Sequence, residues 1–213
     1  MSIQSSYNEW SSTYAQDRNL TRDLSASVLR EMFRSARFKS IIEIGCGTGK
    51  NTPFLTQIGG NVHAMDFSEE MIGIAKNEVK ENNVSFSLAD ITGSWPCKSG
   101  SVDLIVCNLV LEHVEKLSHI FSEANRSLDE GGIFSICELH PFRQYLGGKA
   151  TFQHQGKAVE IPAFVHHISD FLSAANEAAF ELKKLQEWWH EEDFDKPPRV
   201  VSFLFEKRGR EEL

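Results

Sequence analysis

The sequence predicts an α/β fold built on a mostly parallel, doubly wound sheet. Three observations lead there. β-Branched apolar runs alternate with helix-period segments without a break from about residue 40 to 139. Alternation of that kind gives a parallel sheet with right-handed crossovers. The first run, Ile41-Ile42-Glu43-Ile44, is dominated by isoleucine and shows no polar alternation, as expected of a strand buried on both faces. It ends in Gly45-Cys46-Gly47-Thr48-Gly49-Lys50, a tight turn that brings the backbone close to a neighbour or a ligand. A helical pattern follows at 52–58, and open α/β sheets bind nucleotide-like ligands at such a strand–turn–helix unit.

The elements follow in order. Residues 4 to 19 hold Tyr7, Trp10 and Tyr14 among polar residues, with no element assigned. Thr21 is the expected cap of a helix that buries Leu24, Val28, Leu29, Met32 and Phe33. Residues 61–67 form the second strand and end in Asp66-Phe67-Ser68. Ser68 caps the next helix, which leaves the Asp66 carboxylate free. Residues 84–89 form strand three and 102–109 strand four, with Asp103 at its entry in a structural role. Leu117, Ile120, Phe121, Ala124 and Leu128 mark a helix closed by Gly131-Gly132. Strand five runs from Ile133 to Leu139. The helical pattern is then absent from Phe142 to Pro162, where 151–154 and 158–161 read as a β-hairpin placed as a lid over a substrate pocket. Ser169 is the expected cap of a last helix, and 180–189 with 200–207 read as two antiparallel strands around an acidic loop.

The 213 residues suit one domain, 1–213, with an N-terminal helical cap over 1–38 and a lid insertion over 142–166. The N-terminus lacks a secretory pattern, and no apolar run approaches the ~18 residues of a membrane span. Cysteines 46, 97, 107 and 137 form no C-x-x-C pair, so neither a zinc site nor a disulfide framework is expected. The expected compartment is the cytoplasm. The net charge of −8 disfavours nucleic acid as a partner.

The glycine spacing departs from the dinucleotide pattern Gly-x-Gly-x-x-Gly. The third glycine comes one position early, at Gly49, and Lys50 stands where Gly or Ala is wanted. With Glu43 two positions before Gly45, the run E-x-G-x-G-x-G resembles the first motif of class I methyltransferases that use S-adenosylmethionine (SAM). Four further passages carry the resemblance: Tyr7-x-x-Trp10-x-x-x-Tyr14, Ala89-Asp90, Leu111-x-His113-Val114, and the Leu128-x-x-Gly131-Gly132 passage. Two departures are Cys97 and Val102 in place of phenylalanine and Ala179 in place of glycine. The resemblance implies a Rossmann-like seven-stranded sheet with its last strand antiparallel.

For the site, the resemblance implies that Glu43, Gly45, Cys46, Gly47 and Gly49 form the turn against the methionine part of SAM. Tyr14 contacts the cofactor, whose sulfonium an aromatic face attracts. Asp66, about 20 residues past the first glycine, accepts the ribose hydroxyls. Phe67 and Met71 flank the adenine, and Asp90 with Ile91 meets its amino group. Asn108, Leu109 and His113 lie where the cofactor passes. The implied reaction is direct in-line transfer of the methyl group to O, N or C of a small-molecule acceptor, leaving S-adenosylhomocysteine (SAH). His140, at the end of strand five, is the expected general base, and His113, His166 and His167 are further candidates. No familiar metal-ligand spacing is present, so no metal site is expected. A monomer or homodimer is expected. The rival readings are a non-catalytic SAM-binding module and a nicotinamide-dependent oxidoreductase.

Overall fold

The computed structural model describes residues 2–154 and 156–209. Met1, Gln155 and residues 210–213 of the expected domain lie outside the described residues. Seven strands form one sheet in the order β3-β2-β1-β4-β5-β9-β8. They are β1 (Phe38–Ile44), β2 (Gly59–Asp66), β3 (Val84–Leu88), β4 (Val102–Asn108), β5 (Leu128–Leu139), β8 (Phe180–Trp188) and β9 (Val200–Lys207). Only β9 runs against the rest, paired antiparallel to β5 on one side and β8 on the other. β6 (Thr151–His154) and β7 (Lys157–Glu160) form a separate hairpin. The expected Rossmann-like sheet with its reversed last strand is therefore present.

Alternating residues of each strand serve two cores. Ile42 and Ile44 of β1 face one side, with Phe134 and Phe203, under α5 (Leu117–Ser127) and α7 (Ile168–Glu177). Ile41 faces the other, with Leu104 and Val106, under α2 (Leu20–Phe33) and α3 (Thr52–Ile58). α4 (Glu69–Glu78) joins this second layer through Ile72 against Ala64. The isoleucine run lacks polar alternation because both faces of β1 are covered. Asp103 accepts the Lys39 and Ser40 N–H groups at 2.7 and 2.9 Å, the structural role expected of it.

Several local expectations are corrected. Residues Ile3–Tyr14 form a helix, α1, begun by Ser2, whose side chain accepts from the Ser5 N–H. Asn19, not Thr21, caps α2 by accepting the Arg22 N–H at 3.0 Å. Pro141–Tyr145 form a short helix, α6, where no helical pattern is legible; five residues are too few for a period to show. α7 starts at His167 rather than Ser169, with the Asp170 carboxylate accepting the His167 N–H at 2.8 Å. β5 starts at Leu128, ahead of its glycines. The hairpin rests on α1: Phe152 stacks on Trp10 at 5.6 Å between ring centroids, and Ile161 joins the same cluster.

Candidate active site

β1 sits between β2 and β4, so the chain turns left for β2 and β3 and then crosses to β4. At that switch point the carboxyl ends of β1 and β4 diverge and leave a crevice. The turn after β1 fills its floor. Gly45, at φ +66°, donates its N–H to the Met65 carbonyl at 2.8 Å. A Cβ there would lie 2.2 Å from Val110, so only glycine fits. Gly49, at φ +87°, plays a different part: a Cβ would strike Val79 at 2.8 Å, so this glycine lets α4 pack close.

The crevice is a cavity of about 690 Å³ including its mouth, within the usual range for small-molecule sites. All the residues expected to meet the cofactor line it except Glu43, Cys46 and Gly49. Glu43 lies in β1 just before the turn, while Cys46 and Gly49 belong to the turn itself. Glu43 is buried and accepts from the Thr52 hydroxyl at 2.6 Å, and burial pushes its carboxyl up to about 8. Cys46 packs with Ala64 and Ile72. Tyr7, Ala89, Thr92, Val110 and Val114 also line the cavity. Tyr7 belongs to the Tyr7-x-x-Trp10-x-x-x-Tyr14 pattern, in which only Tyr14 was expected at the cofactor.

Each wall has a local cause. Asp66 ends β2 and is 7% exposed. Its Oδ2 accepts from the Gly47 N–H and its Oδ1 from the Ser68 N–H, both at 2.9 Å. Each oxygen keeps a second lone pair. Burial raises its pKa, and those backbone bonds oppose the rise. Ser68 does cap α4, accepting the Met71 N–H at 3.2 Å. Asp90 accepts the Thr92 N–H and hydroxyl through Oδ1. Asn108 ends β4, and its side-chain Oδ1 and Nδ2 are both buried without a hydrogen-bond partner among the described residues. Buried amides are ordinarily satisfied; an unmet pair on a residue that lines a cavity is a candidate ligand contact.

Leu109, the next residue, has φ +58°, a strained conformation for a γ-branched side chain. Glu138 over-determines it: its Oε1 accepts the Val110 and Leu111 N–H groups at 2.9 and 3.1 Å. Burial raises the Glu138 carboxyl to about 8. The acid inside an otherwise apolar strand was its only sequence signal. His113 donates from Nδ1 to the Pro162 carbonyl at 2.9 Å and accepts at Nε2 from the Tyr7 hydroxyl at 2.7 Å. Burial lowers its pKa and raises that of Tyr7 well above the usual phenol, so the pair is neutral.

A second cavity, about 800 Å³ with its mouth, shares Tyr7, Tyr14 and Leu109 with the first. Its other walls include Arg22, Glu112, Arg143, Lys149 and Arg199. Glu112 is 8% exposed, its Oε2 lacks a partner among the described residues, and burial raises it to about 7. The loop entering the hairpin contributes Gly148, Lys149 and Ala150.

His140 lines neither cavity. It caps α6, with Nδ1 accepting the Phe142 N–H at 3.1 Å and Nε2 meeting Glu187 at 2.8 Å. The Nδ1 lone pair is already spent, so this geometry does not suit the general-base role expected of it. His166 is turned to the Val114 carbonyl at 2.7 Å, and His167 bonds Tyr145.

Residues 42–136 match the model of a family described as a methyltransferase domain. Malonyl-[acyl-carrier protein] O-methyltransferase 2 of Coxiella burnetii is 32% identical over 146 residues, which are 66% of this chain and 58% of that protein. Demethylmenaquinone methyltransferase of Tropheryma whipplei is 28% identical over 173 residues, 80% of this chain and 66% of that protein. The chain thus spans less than two thirds of the length of these curated relatives. The crystal structure of the N-methyltransferase NodS from Bradyrhizobium japonicum, in complex with S-adenosyl-l-homocysteine, superposes with a TM-score of 0.74 at 16% identity, covering 98% of this chain and 100% of that one. Matched motif region, curated relatives and sheet order agree: the chain is similar to SAM-dependent methyltransferases in sequence over 42–136 and in fold over nearly its whole length.

Proposed function

We propose that the protein transfers a methyl group from SAM to a small-molecule acceptor. The observation that carries this reading is the first cavity. It gathers an aspartate with spare lone pairs at the end of β2, the unpartnered Asn108 amide and the Gly45–Gly47 turn on one crevice. SAM, when bound, supplies an electrophilic methyl on a positive sulfur.

The chain's own residues bind and exclude water. Asp66 takes the ribose hydroxyls. Phe67 and Met71 sandwich the base, and Asp90 through its free Oδ2 meets the adenine amino group. Asn108 satisfies polar atoms of the amino-acid end, and Tyr14 covers it. The second cavity takes the acceptor, since it shares the Tyr7–Tyr14–Leu109 wall with the first. Positioning of two reactants in adjoining cavities supplies roughly 7–11 kcal/mol of barrier reduction. Where the acceptor atom bears a proton, Glu112 receives it through Oε2, which has no partner among the described residues, its carboxyl being raised by burial to about 7. The acceptor is a small molecule: no proline directly follows Asn108, where DNA amino-methylating enzymes resemble each other in an Asn/Asp-Pro-Pro-Tyr/Phe motif.

Calorimetric titration with SAM, SAH and NAD tests the reading. Micromolar binding of the first two and none of NAD is expected; NAD binding without SAM binding overturns it. Tight SAM binding with no methyl transfer across a broad acceptor panel favours the non-catalytic module instead. Asp66→Ala is expected to weaken SAH binding several-fold to a hundredfold, for the loss of one or two buried hydrogen bonds at about 1–3 kcal/mol. Unchanged affinity in the folded variant removes Asp66 from the ribose role.

A further inference from the structure

We propose that the acceptor carries a carboxylate and that Arg22, in the second cavity, is the residue that anchors it. The proposal deepens the reading above and rests on it. Arg22 is 7% exposed and lines the second cavity. Its Nη2 donates to the Asp17 carbonyl at 2.6 Å, and its guanidinium lies 4.3 Å from the Tyr14 ring centroid. Its Nε and Nη1 have no hydrogen-bond partner among the described residues.

The neighbouring acids are already engaged. The Asp17 carboxylate accepts from Trp10 Nε1 at 2.7 Å, and Asp23 pairs with Lys50. The other cations on this cavity each have a carboxylate within reach, although two of them share one. Arg143 and Arg199 both reach Asp193, at 2.9 and 2.5 Å, and Lys149 reaches Glu160 at 2.7 Å. Arg22, by contrast, is a buried charge with no carboxylate partner and two donors unmet among the described residues. Leaving such a group without a counter-ion is costly, and the planar fork of a guanidinium matches a carboxylate through two parallel bonds. Glu112 lines the same cavity and opposes a second negative charge there, so a monoanion suits it better than a phosphate dianion.

The test uses the full-length protein saturated with SAH. Probes are benzoate, 3-phenylpropanoate and hexanoate, each beside its neutral amide, with phenyl phosphate as the dianion. At least one carboxylate is expected to bind tenfold or more tighter than its amide and tighter than phenyl phosphate. Arg22→Gln is expected to lose that binding by tenfold or more and keep its SAH affinity within twofold, while Arg22→Lys retains part of it. A tenfold loss of SAH affinity in Arg22→Gln would mean that the guanidinium holds the cofactor's own carboxylate, which overturns the proposal. Equal binding of acids and amides, or preference for phenyl phosphate, also overturns it. Failure of the wild-type protein to bind SAH is a separate result, and it removes the methyltransferase reading first.

Discussion

Asn108 stores a cost in the ligand-free protein, because an unmet buried amide forfeits about 1–3 kcal/mol of desolvation. Asn108→Leu, of similar shape, is expected to raise the melting temperature of the ligand-free protein and to weaken SAH binding at least tenfold. Scanning fluorimetry and calorimetry read the two effects; equal SAH affinity in the variant sinks the assignment. Three buried carboxyls give a second prediction. Glu43 and Glu138 are raised to about 8 and Glu112 to about 7, each chiefly by burial. The native state therefore holds protons that the unfolded chain has released above the ordinary carboxylate pKa. Their stabilisation is present in acid and is lost as pH rises from about 4.5 to 8, at up to roughly 1.4 kcal/mol per pH unit per group. Melting temperature is expected to fall between pH 5.5 and 8.5, and Glu43→Gln to flatten that slope while still accepting from Thr52. A variant with the wild-type slope contradicts the burial argument. Asp193 acts oppositely: burial pushes it up, but Arg199, the His190 N–H and Arg143 hold it well below the usual range. It contributes only above its unfolded pKa, so it leaves the fall above pH 5.5 unaltered.

Among the elements, the wall over the first cavity is α1, not the hairpin. Tyr7 and Tyr14 of α1 line that cavity, whereas among the described residues of 142–166 none does. The hairpin works through α1, stacking Phe152 on Trp10, which meets Tyr14 edge-on at 4.8 Å. Phe152→Ala is expected to loosen this cluster by about 3 kcal/mol, raise amide exchange in residues 3–14, and weaken SAH binding several-fold with the sheet unaffected. Unchanged exchange in α1 rejects the coupling. α1 was expected only as part of the 1–38 helical cap, without bounds, because its three aromatics sit among serines, asparagine and threonine, which are poor helix interior residues. The central strands β1 and β4 were legible because each holds a nearly continuous apolar run. Caps were less so: Asn19 and Thr21 are both good caps, and sequence order alone does not say which side chain reaches the N–H.

For the molecule as a whole, ligand binding and stability are one equilibrium. SAH at a hundred times its Kd is expected to stabilise the protein by about 2.7 kcal/mol, a rise of roughly 5–10 °C for a chain of this size. No shift, with binding seen by calorimetry, would mean that the unfolded chain binds as well. The donor cavity was largely legible because it lies at strand ends, where motif and topology coincide: Asp66, Asp90 and Asn108 each close a strand or follow one directly. The second cavity was not, because Arg22, Glu112, Arg143 and Arg199 come from four distant segments that only the fold unites. One feature of the sheet bears on how the chain is made. β8 reaches the sheet only through β9, its later neighbour in sequence. During synthesis β8 must wait unpaired while the acidic 190–199 loop and then β9 emerge. The waiting strand carries glutamate and lysine at its exposed positions Glu181, Lys183, Lys184 and Glu187, charges of the kind that keep a lone edge from pairing with another chain.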